Sequence, residues 1–388
     1  MKILLTIHHH LDPNTGAPGV TWKLGQEYQK LGHQVRYYSF DHLPSRLPGL
    51  AKKVIFPEFV AAHLSMLSNK QAVDVVDAST GDAWVWAKVL QNSRENHPLL
   101  VTRSHGLEHT RDLERQKQAQ KGNLHLSWKY SLYKRGFRLW EVATSLRCAD
   151  LVFLLNRQDS KYAIEQLGVK QERTRIIPNG IPETFLNLTF EPTPEAENST
   201  IYIAQVGSYI RRKGIQYSVP ALNKILARYP QVQVSFLGTS CSEAEVHKDF
   251  DPALRDRIRV MPRYTHEMLP TFLKGHQIKL FSSLSEGFGS VLIEAMACGL
   301  TPITTAIPGP TEIVSDGHDG ISIPPGDSRA IEQAIEQLIS NHLYLERLRR
   351  NAYATAQRYS WTRIARENLS IYEEALSKKK CSSEKLSP

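Results

Sequence analysis

The chain has 388 residues, enough for two domains that each bury their own core. With 41% hydrophobic and 22% charged residues it has an ordinary globular composition, and no run approaches the roughly 18 apolar residues that a membrane-spanning helix needs. The net charge of +9 is concentrated in residues 1–185, where 25 Lys/Arg face 17 Asp/Glu, while residues 186–388 carry 23 against 22; such asymmetry points to an acidic partner.

From the N-terminus, short β-rich apolar runs alternate with segments of helical period, the pattern of parallel βαβ units. Strands are predicted at 2–7, 34–39, 73–78, 99–104, 150–155 and 174–178, with helices between them. Met1 to Ile7 reads as a buried first strand, too short and too weakly basic for a secretory leader. Glu191-Pro192-Thr193-Pro194-Glu195-Ala196-Glu197-Asn198-Ser199 has no periodicity and reads as a linker. A second series of strands follows at 201–206, 232–237, 257–261, 278–282, 301–305 and 321–323. Helices are predicted at 327–341 and 343–358, a last one runs to about Ser377, and 378–388 is expected to be a disordered tail. The fold class is therefore α/β with two doubly wound domains, 1–185 and 186–361.

Cys148, Cys241, Cys298 and Cys381 lie far apart without a Cys-x-x-Cys pair. Neither a disulfide framework nor a zinc site is expected, and a reducing cytoplasm is the expected location. The sequons at Asn187 and Asn198 then carry little weight.

Ligands of doubly wound sheets sit beyond the carboxyl ends of the strands, so the strand-to-helix loops are where chemistry belongs. After the first strand comes His8-His9-His10-Leu11-Asp12-Pro13-Asn14-Thr15-Gly16-Ala17-Pro18-Gly19, before a helix expected from about Val20. Gly16 and Gly19 bare the backbone and the helix start suits an anion, although the spacing is neither Gly-x-Gly-x-x-Gly nor a P-loop and a plain turn explains it as well. His105-Gly106 follows the fourth strand and can set an imidazole or a carbonyl on a ligand, or be a structural pair. In the second half, Gly207 ends a strand and Arg211-Arg212-Lys213-Gly214 leads into a helix. Cations at that junction suit a diphosphate; a solvated charge run is the alternative.

The most informative segment runs from Ser283 to Gly299: strand end, the glycine loop Glu286-Gly287-Phe288-Gly289, then Ser290-Val291-Leu292-Ile293-Glu294 opening an amphipathic helix. A phosphate can rest on this bared backbone, and carboxylates suit sugar hydroxyls. Asp249-Phe250-Asp251 has the form of a manganese-binding Asp-x-Asp but lies in a charged stretch and reads as a solvated loop.

In order along the chain, the early glycine loop, His105-Gly106, Pro178-Asn179-Gly180-Ile181, Arg212-Lys213-Gly214 and the pair Glu286-x7-Glu294 resemble glycosyltransferase family 4 over about residues 1–376. That resemblance implies a GT-B fold: two Rossmann-like domains facing across a cleft, with a C-terminal helix, about 362–377, crossing back to the first. It implies a retaining, metal-independent, cofactor-free transfer of a hexose from a UDP- or GDP-linked sugar to a glycan or lipid-linked acceptor in polysaccharide or glycolipid biosynthesis. Glu286 would hold hydroxyls of the donor sugar and Glu294 those of the ribose. Arg212 and Lys213 would neutralise the diphosphate, with Gly207, Gly287, Phe288, Gly289, Ser290 and Val291 around it. His105 would face the sugar near its 6-hydroxyl, and Gly16 and Gly19 would border acceptor and phosphates. Many members place Arg directly after the glycine at 207; here Ser208 stands there, and Arg212 is read as supplying the charge. In retaining members a diphosphate oxygen takes the acceptor's proton, so no separate base is expected. A sugar-nucleotide 2-epimerase of the same fold, or a non-catalytic carbohydrate-binding relative, are the alternatives.

Residues 103–147 hold ten Lys/Arg against four acids, with Trp128, Tyr130, Tyr133, Phe137 and Trp140 interleaved. From about Leu124 this segment is compatible with a basic aromatic helix. Such a helix suits peripheral contact with an anionic inner membrane face, or places its aromatics in the core. No helix-turn-helix, zinc-finger or RNA-binding signature accompanies the charge, so nucleic acid is not expected.

Overall fold

The computed structural model describes residues 1–13, 15–68, 72–90, 97–120, 135–193 and 200–384. The chain divides into two units, Met1–Asn179 with Trp361–Pro388, and Gly180–Ser360. Each is an α/β unit built on a six-stranded sheet whose neighbouring strands all run parallel.

The first unit contains β1 (Lys2–Ile7), β2 (Gln34–Ser39), β3 (Val75–Ser79), β4 (Leu99–Arg103), β5 (Leu151–Leu154) and β6 (Thr174–Ile176), in the order β2-β1-β3-β4-β5-β6. Strands covered on both sides read as continuous apolar runs, and successive side chains point to opposite faces. Leu4, Val76, Leu100 and Val152 accordingly enter one core with Phe56, Val60 and Leu64 of the helix Gly49–Ser68. Ile3, Leu5, Val75, Val101 and Phe153 enter the other, closed by Leu24 and Tyr28 of the helix Gly16–Lys30 and by Ile364, Leu369 and Tyr372 of the C-terminal helix.

The second unit contains β7 (Ile201–Val206), β8 (Val232–Leu237), β9 (Ile258–Met261), β10 (Ile278–Phe281), β11 (Thr301–Thr305) and β12 (Ile321–Ile323), in the order β12-β11-β10-β7-β8-β9. Its core joins Ile203, Val234, Phe236, Ile278, Leu280 and Ile303 to the helices Ile215–Arg228, Ser328–Ser340 and His342–Ala356.

Both sheets reverse direction once. In the first, the chain leaves β1 for β2 on one side and reaches β3 on the other, so the switch point lies between β1 and β3. The second has the same arrangement between β7 and β10. The loops after these four strands are thus the ones the topology splays apart to admit a ligand.

Three expectations are corrected. The first helix starts at Gly16 rather than near Val20, so both loop glycines lie inside it; Pro18 is tolerated because the first turn has no intrahelical use for its missing N–H. The last helix continues from Trp361 to Glu384, so residues 378–384 are helical rather than a disordered tail. Lys378 pairs with Glu374 one turn back, and Lys379 Nζ reaches His97 Nδ1 at 2.7 Å and Asp150 Oδ2 at 3.5 Å. The first part of the expected linker is docked: Thr193 is buried, and its hydroxyl donates to Glu346 Oε1 at 2.7 Å. Residues 194–199, Trp128, Tyr130, Tyr133 and 385–388 lie outside the described residues.

Candidate functional site

In the second unit the loops after β7 and β10 are fastened to each other. Gly207 adopts φ +124° and Gly214 φ +75°, conformations that favour glycine, and a Cβ on Gly214 would fall 1.9 Å from the Ser282 carbonyl oxygen. The Arg212-Lys213-Gly214 turn therefore sits flush on the end of β10. Leu284 N donates to Arg212 O at 2.9 Å, and Ser282 Oγ donates to Lys213 O at 2.9 Å. A Cβ on Gly207 would meet the Lys213 stem at 3.3 Å, so this glycine gives that side chain its path across the strand end.

These backbone ties bring together charges that are 73 residues apart in sequence. Lys213 Nζ donates to Glu286 Oε1 at 2.6 Å, Arg212 Nη1 donates to the same oxygen at 3.1 Å and to Ser285 O at 3.0 Å, and Ser283 Oγ donates to it at 3.0 Å. Burial opposes ionisation of Glu286, but the charge and hydrogen bond of Lys213, with Arg212 and Ser283 behind them, outweigh it and hold the carboxyl below its ordinary value. One carboxylate thus gathers two cations that can both turn to an incoming anion. Behind them, Lys279 in β10 is fully buried; burial and then the charge of Lys213 push its ammonium well below the usual lysine value.

Gly289 (φ +98°) caps the helix Ser290–Ala297, so the N–H groups of Ser290 and Val291 start an anion-favouring helix end beside Glu286 in sequence. Glu294 lies one turn further in, is largely buried, and has His266 Nε2 2.9 Å from Oε1. The Phe288 side chain does not line the loop: it is 4% exposed and packs near Tyr359, so only its backbone is available to a ligand. Asp249 accepts from Tyr209 Oη at 2.7 Å and Asp251 caps a short 3-10 helix, which accounts for the Asp-x-Asp without a cation.

In the first unit, His105 follows β4 as expected. Its Nε2 lies 3.2 Å from Ser79 Oγ, while its Nδ1 has no hydrogen-bond partner among the described residues. Burial, then the charges of Arg103 and His8, push its pKa down to about 3, so it stays neutral above that pH. Gly19 serves packing: a Cβ there would meet Pro13 O at 2.7 Å; Gly16 has open space around it.

Four residues stand out that sequence reasoning did not single out. His8 and Asp82 meet at the first unit's switch point, Arg138 bridges them to Glu108 and Glu141, and His266 partners Glu294. Asp82 had a usable signal, because Ser79-Thr80-Gly81-Asp82 is itself a glycine loop at a strand's carboxyl end. Arg138 had little, since apart from Glu141 three residues on, its partners His8, Thr80 and Glu108 come from three other segments of the chain.

Two doubly wound units of six parallel strands with polar groups collected at their switch points make up a GT-B glycosyltransferase fold. The chain belongs to glycosyltransferase family 4: the Glycosyltransferase Family 4 model matches residues 15–185 and the Glycosyl transferases group 1 model matches residues 189–355. It is 25% identical over 346 residues to the alpha-maltose-1-phosphate synthase of Mycolicibacterium smegmatis, covering 81% of this chain and 82% of that one. It is also 25% identical over 263 residues to the D-inositol 3-phosphate glycosyltransferase of Acidothermus cellulolyticus, covering 63% of this chain and 58% of that one. Of several other curated relatives the match spans between 24% and 58% of their length. Among solved structures, sucrose-phosphate synthase from Thermosynechococcus elongatus superposes with a TM-score of 0.75 at 22% identity, over 97% of this chain and 100% of that one. Anabaena HepE in complex with UDP-glucose gives 0.67 at 19% identity, over 97% and 100%. No described helix is long and apolar enough to cross a membrane.

Proposed function

We propose that the protein is a retaining, metal-independent hexosyltransferase that passes a sugar from a UDP- or GDP-linked donor to a glycan or lipid-linked acceptor in polysaccharide or glycolipid biosynthesis. The observation that carries this reading is the Lys213–Arg212–Glu286 cluster at the second unit's switch point. Breaking a sugar–phosphate bond leaves a diphosphate whose negative charge grows as the bond lengthens, and preorganised cations stabilise that change. Lys213 and Arg212 meet it, Glu286 turns to sugar hydroxyls, Glu294 holds the ribose, and the backbone from Gly287 to Val291 with Gly207 wraps the phosphates. His105, neutral, hydrogen-bonds the sugar. The complex of Anabaena HepE with UDP-glucose supports a nucleotide-sugar donor.

A panel of UDP- and GDP-hexoses, assayed with and without EDTA, tests this. One donor should bind and be turned over equally in both, and NMR of the product should show the donor's anomeric configuration kept. Strict metal dependence, or inversion, would sink the corresponding part of the reading.

The basic first half supports peripheral attachment at the cytoplasmic face of an anionic membrane. Phe137 and Trp140 are each 40% exposed, their rings 6.0 Å apart, with Lys88 Nζ 5.2 Å over the Trp140 ring. Anionic liposomes should retain the protein and release it as salt rises. Equal retention on neutral vesicles would remove this contact.

A further inference from the structure

The two carboxylates of the second unit's glycine-loop segment are anchored in opposite ways. Glu286 gathers Lys213, Arg212 and Ser283 on Oε1, whereas among the described residues Glu294 has a single side-chain partner, His266, whose Nε2 lies 2.9 Å from Oε1. Glu294 sits on the helix Ser290–Ala297 after β10, and His266 opens the 3-10 turn His266–Met268 after β9. The imidazole is seated by its own surroundings: its ring lies 5.4 Å from that of fully buried Phe185, and Met268 N donates to Thr265 O at 2.9 Å to close the turn that carries it. The glutamate side chain is 9% exposed and the imidazole 24%, so the contact is sheltered yet a ligand can reach it.

A carboxylate only accepts, so Nε2 carries a hydrogen and donates it to Oε1. The last torsion of a glutamate is broad, and a carboxylate without a partner samples many orientations. One charge-assisted bond on Oε1 narrows that range and leaves Oε2, which takes no hydrogen bond from the described residues, to a ligand. The other groups that feel Glu294 do not hold it. Lys279 is within reach of its charge, but Nζ donates to Leu280 O at 3.1 Å. Burial, then the charge of Glu294, pushes the Tyr264 phenol above its ordinary value and the Cys298 thiol up to about 12, so both stay neutral.

We infer that His266 is the positioning residue for ribose recognition: by holding Oε1 it presents Oε2 of Glu294 to the 2′- and 3′-hydroxyls of the donor nucleotide, and so sets the preference for ribose over its deoxy forms. This rests on the donor reading above, in which Glu294 holds the ribose, and adds what orients that carboxylate. Both residues belong to the second unit, so the inference concerns donor binding within that unit alone. An acceptor already fixed in place spares the bound state the cost of ordering it, and this saving is what His266 contributes.

The test titrates the full chain by calorimetry with UDP and GDP, and then with the 2′,3′-dideoxy counterpart of whichever binds. Wild type should prefer the ribose form by roughly 10–100-fold, the scale of hydrogen bonds to a charged group. His266→Leu should weaken binding of the ribose form by roughly tenfold and leave the dideoxy form within about twofold, so that most of the preference goes. His266→Gln, whose amide N–H can stand where Nε2 stood, should keep ribose-form binding within about threefold of wild type. Circular dichroism checks folding, and His266→Ala takes the place of His266→Leu should the latter not fold; a chain that folds with neither shows the imidazole to be structural and overturns the inference. Equal losses for both nucleotides in His266→Leu, a ribose preference left intact there, or a His266→Gln that fares no better than His266→Leu also overturn it, with the donor reading still standing. A wild type that binds both forms alike removes Glu294 from the ribose. Absence of any nucleoside diphosphate binding overturns the donor reading and this inference with it.

Discussion

Lys213→Ala is expected to lower turnover of the nucleotide sugar by roughly 10²–10³-fold, a loss of about 3–4 kcal/mol of transition-state stabilisation. The protein should still fold, because Glu286 keeps Arg212 at 3.1 Å and Ser283 at 3.0 Å once the lysine is gone. Arg212→Ala should cost much less, about tenfold. Its side chain is 51% exposed against 17% for Lys213, so its charge acts through a larger share of solvent. Steady-state kinetics on the donor found in the panel, with circular dichroism to confirm folding, measure the two losses. Equal losses in the two variants would mean that the cluster is not aimed at the leaving group through Lys213; a near-normal Lys213→Ala would remove the cluster from the chemistry.

The predicted bounds of β1, β2, β7, β8, β11 and β12 coincide with the observed ones; β1 and β7 are mostly apolar runs covered on both faces, whereas edge strand β2, Gln34-Val35-Arg36-Tyr37-Tyr38-Ser39, alternates exposed and covered positions over its first four residues. Where an apolar run extends past the hydrogen-bonded ladder, the boundary drifts: Val73 is buried, yet β3 starts at Val75. Glycines marked the candidate loops of the second unit because Gly207, Gly214 and Gly289 take positive φ, a conformation that favours glycine, and at Gly214 a Cβ would also strike the Ser282 carbonyl. What the sequence hides is pairing across long separations. Nothing within a local window says that His8 will meet Asp82, 74 residues on, or that Glu294 will be matched by His266 from the loop after β9. Lysine runs mislead in the opposite direction. Lys378-Lys379-Lys380 read as a solvated tail, but the long stems allow Lys379 to lie along the protein and reach Asp150.

The same long-range blindness applies to the buried pair that anchors the C-terminal helix, and there the largest stability effect is expected. Arg103 in β4 donates from Nη2 to Asp77 Oδ2 in β3 at 2.7 Å and from Nε at 3.0 Å, and stacks over the Phe153 ring at 4.9 Å. Tyr372 Oη, from the last helix, donates to Asp77 Oδ2 at 2.6 Å; it also lies 3.2 Å from Tyr28 Oη, which accepts from Asn368 at 2.9 Å. Burial, then the negative charge of Asp77, pushes the Tyr372 phenol well above its ordinary value, so it remains a donor. Arg103→Met should destabilise the first unit by about 3–5 kcal/mol, since it strands a buried carboxylate rather than merely deleting a contact. Tyr372→Phe should cost about 1–3 kcal/mol by leaving one acceptor site of Asp77 empty. Adding Asp77→Leu to Arg103→Met should recover part of the loss, because no charge is then left buried without its partner. All six tryptophans lie at positions 22, 84, 86, 128, 140 and 361, within the first unit, so tryptophan fluorescence in urea follows that unit alone. A double variant less stable than Arg103→Met would show that packing around Phe153 and Tyr372, and not the stranded charge, sets the cost.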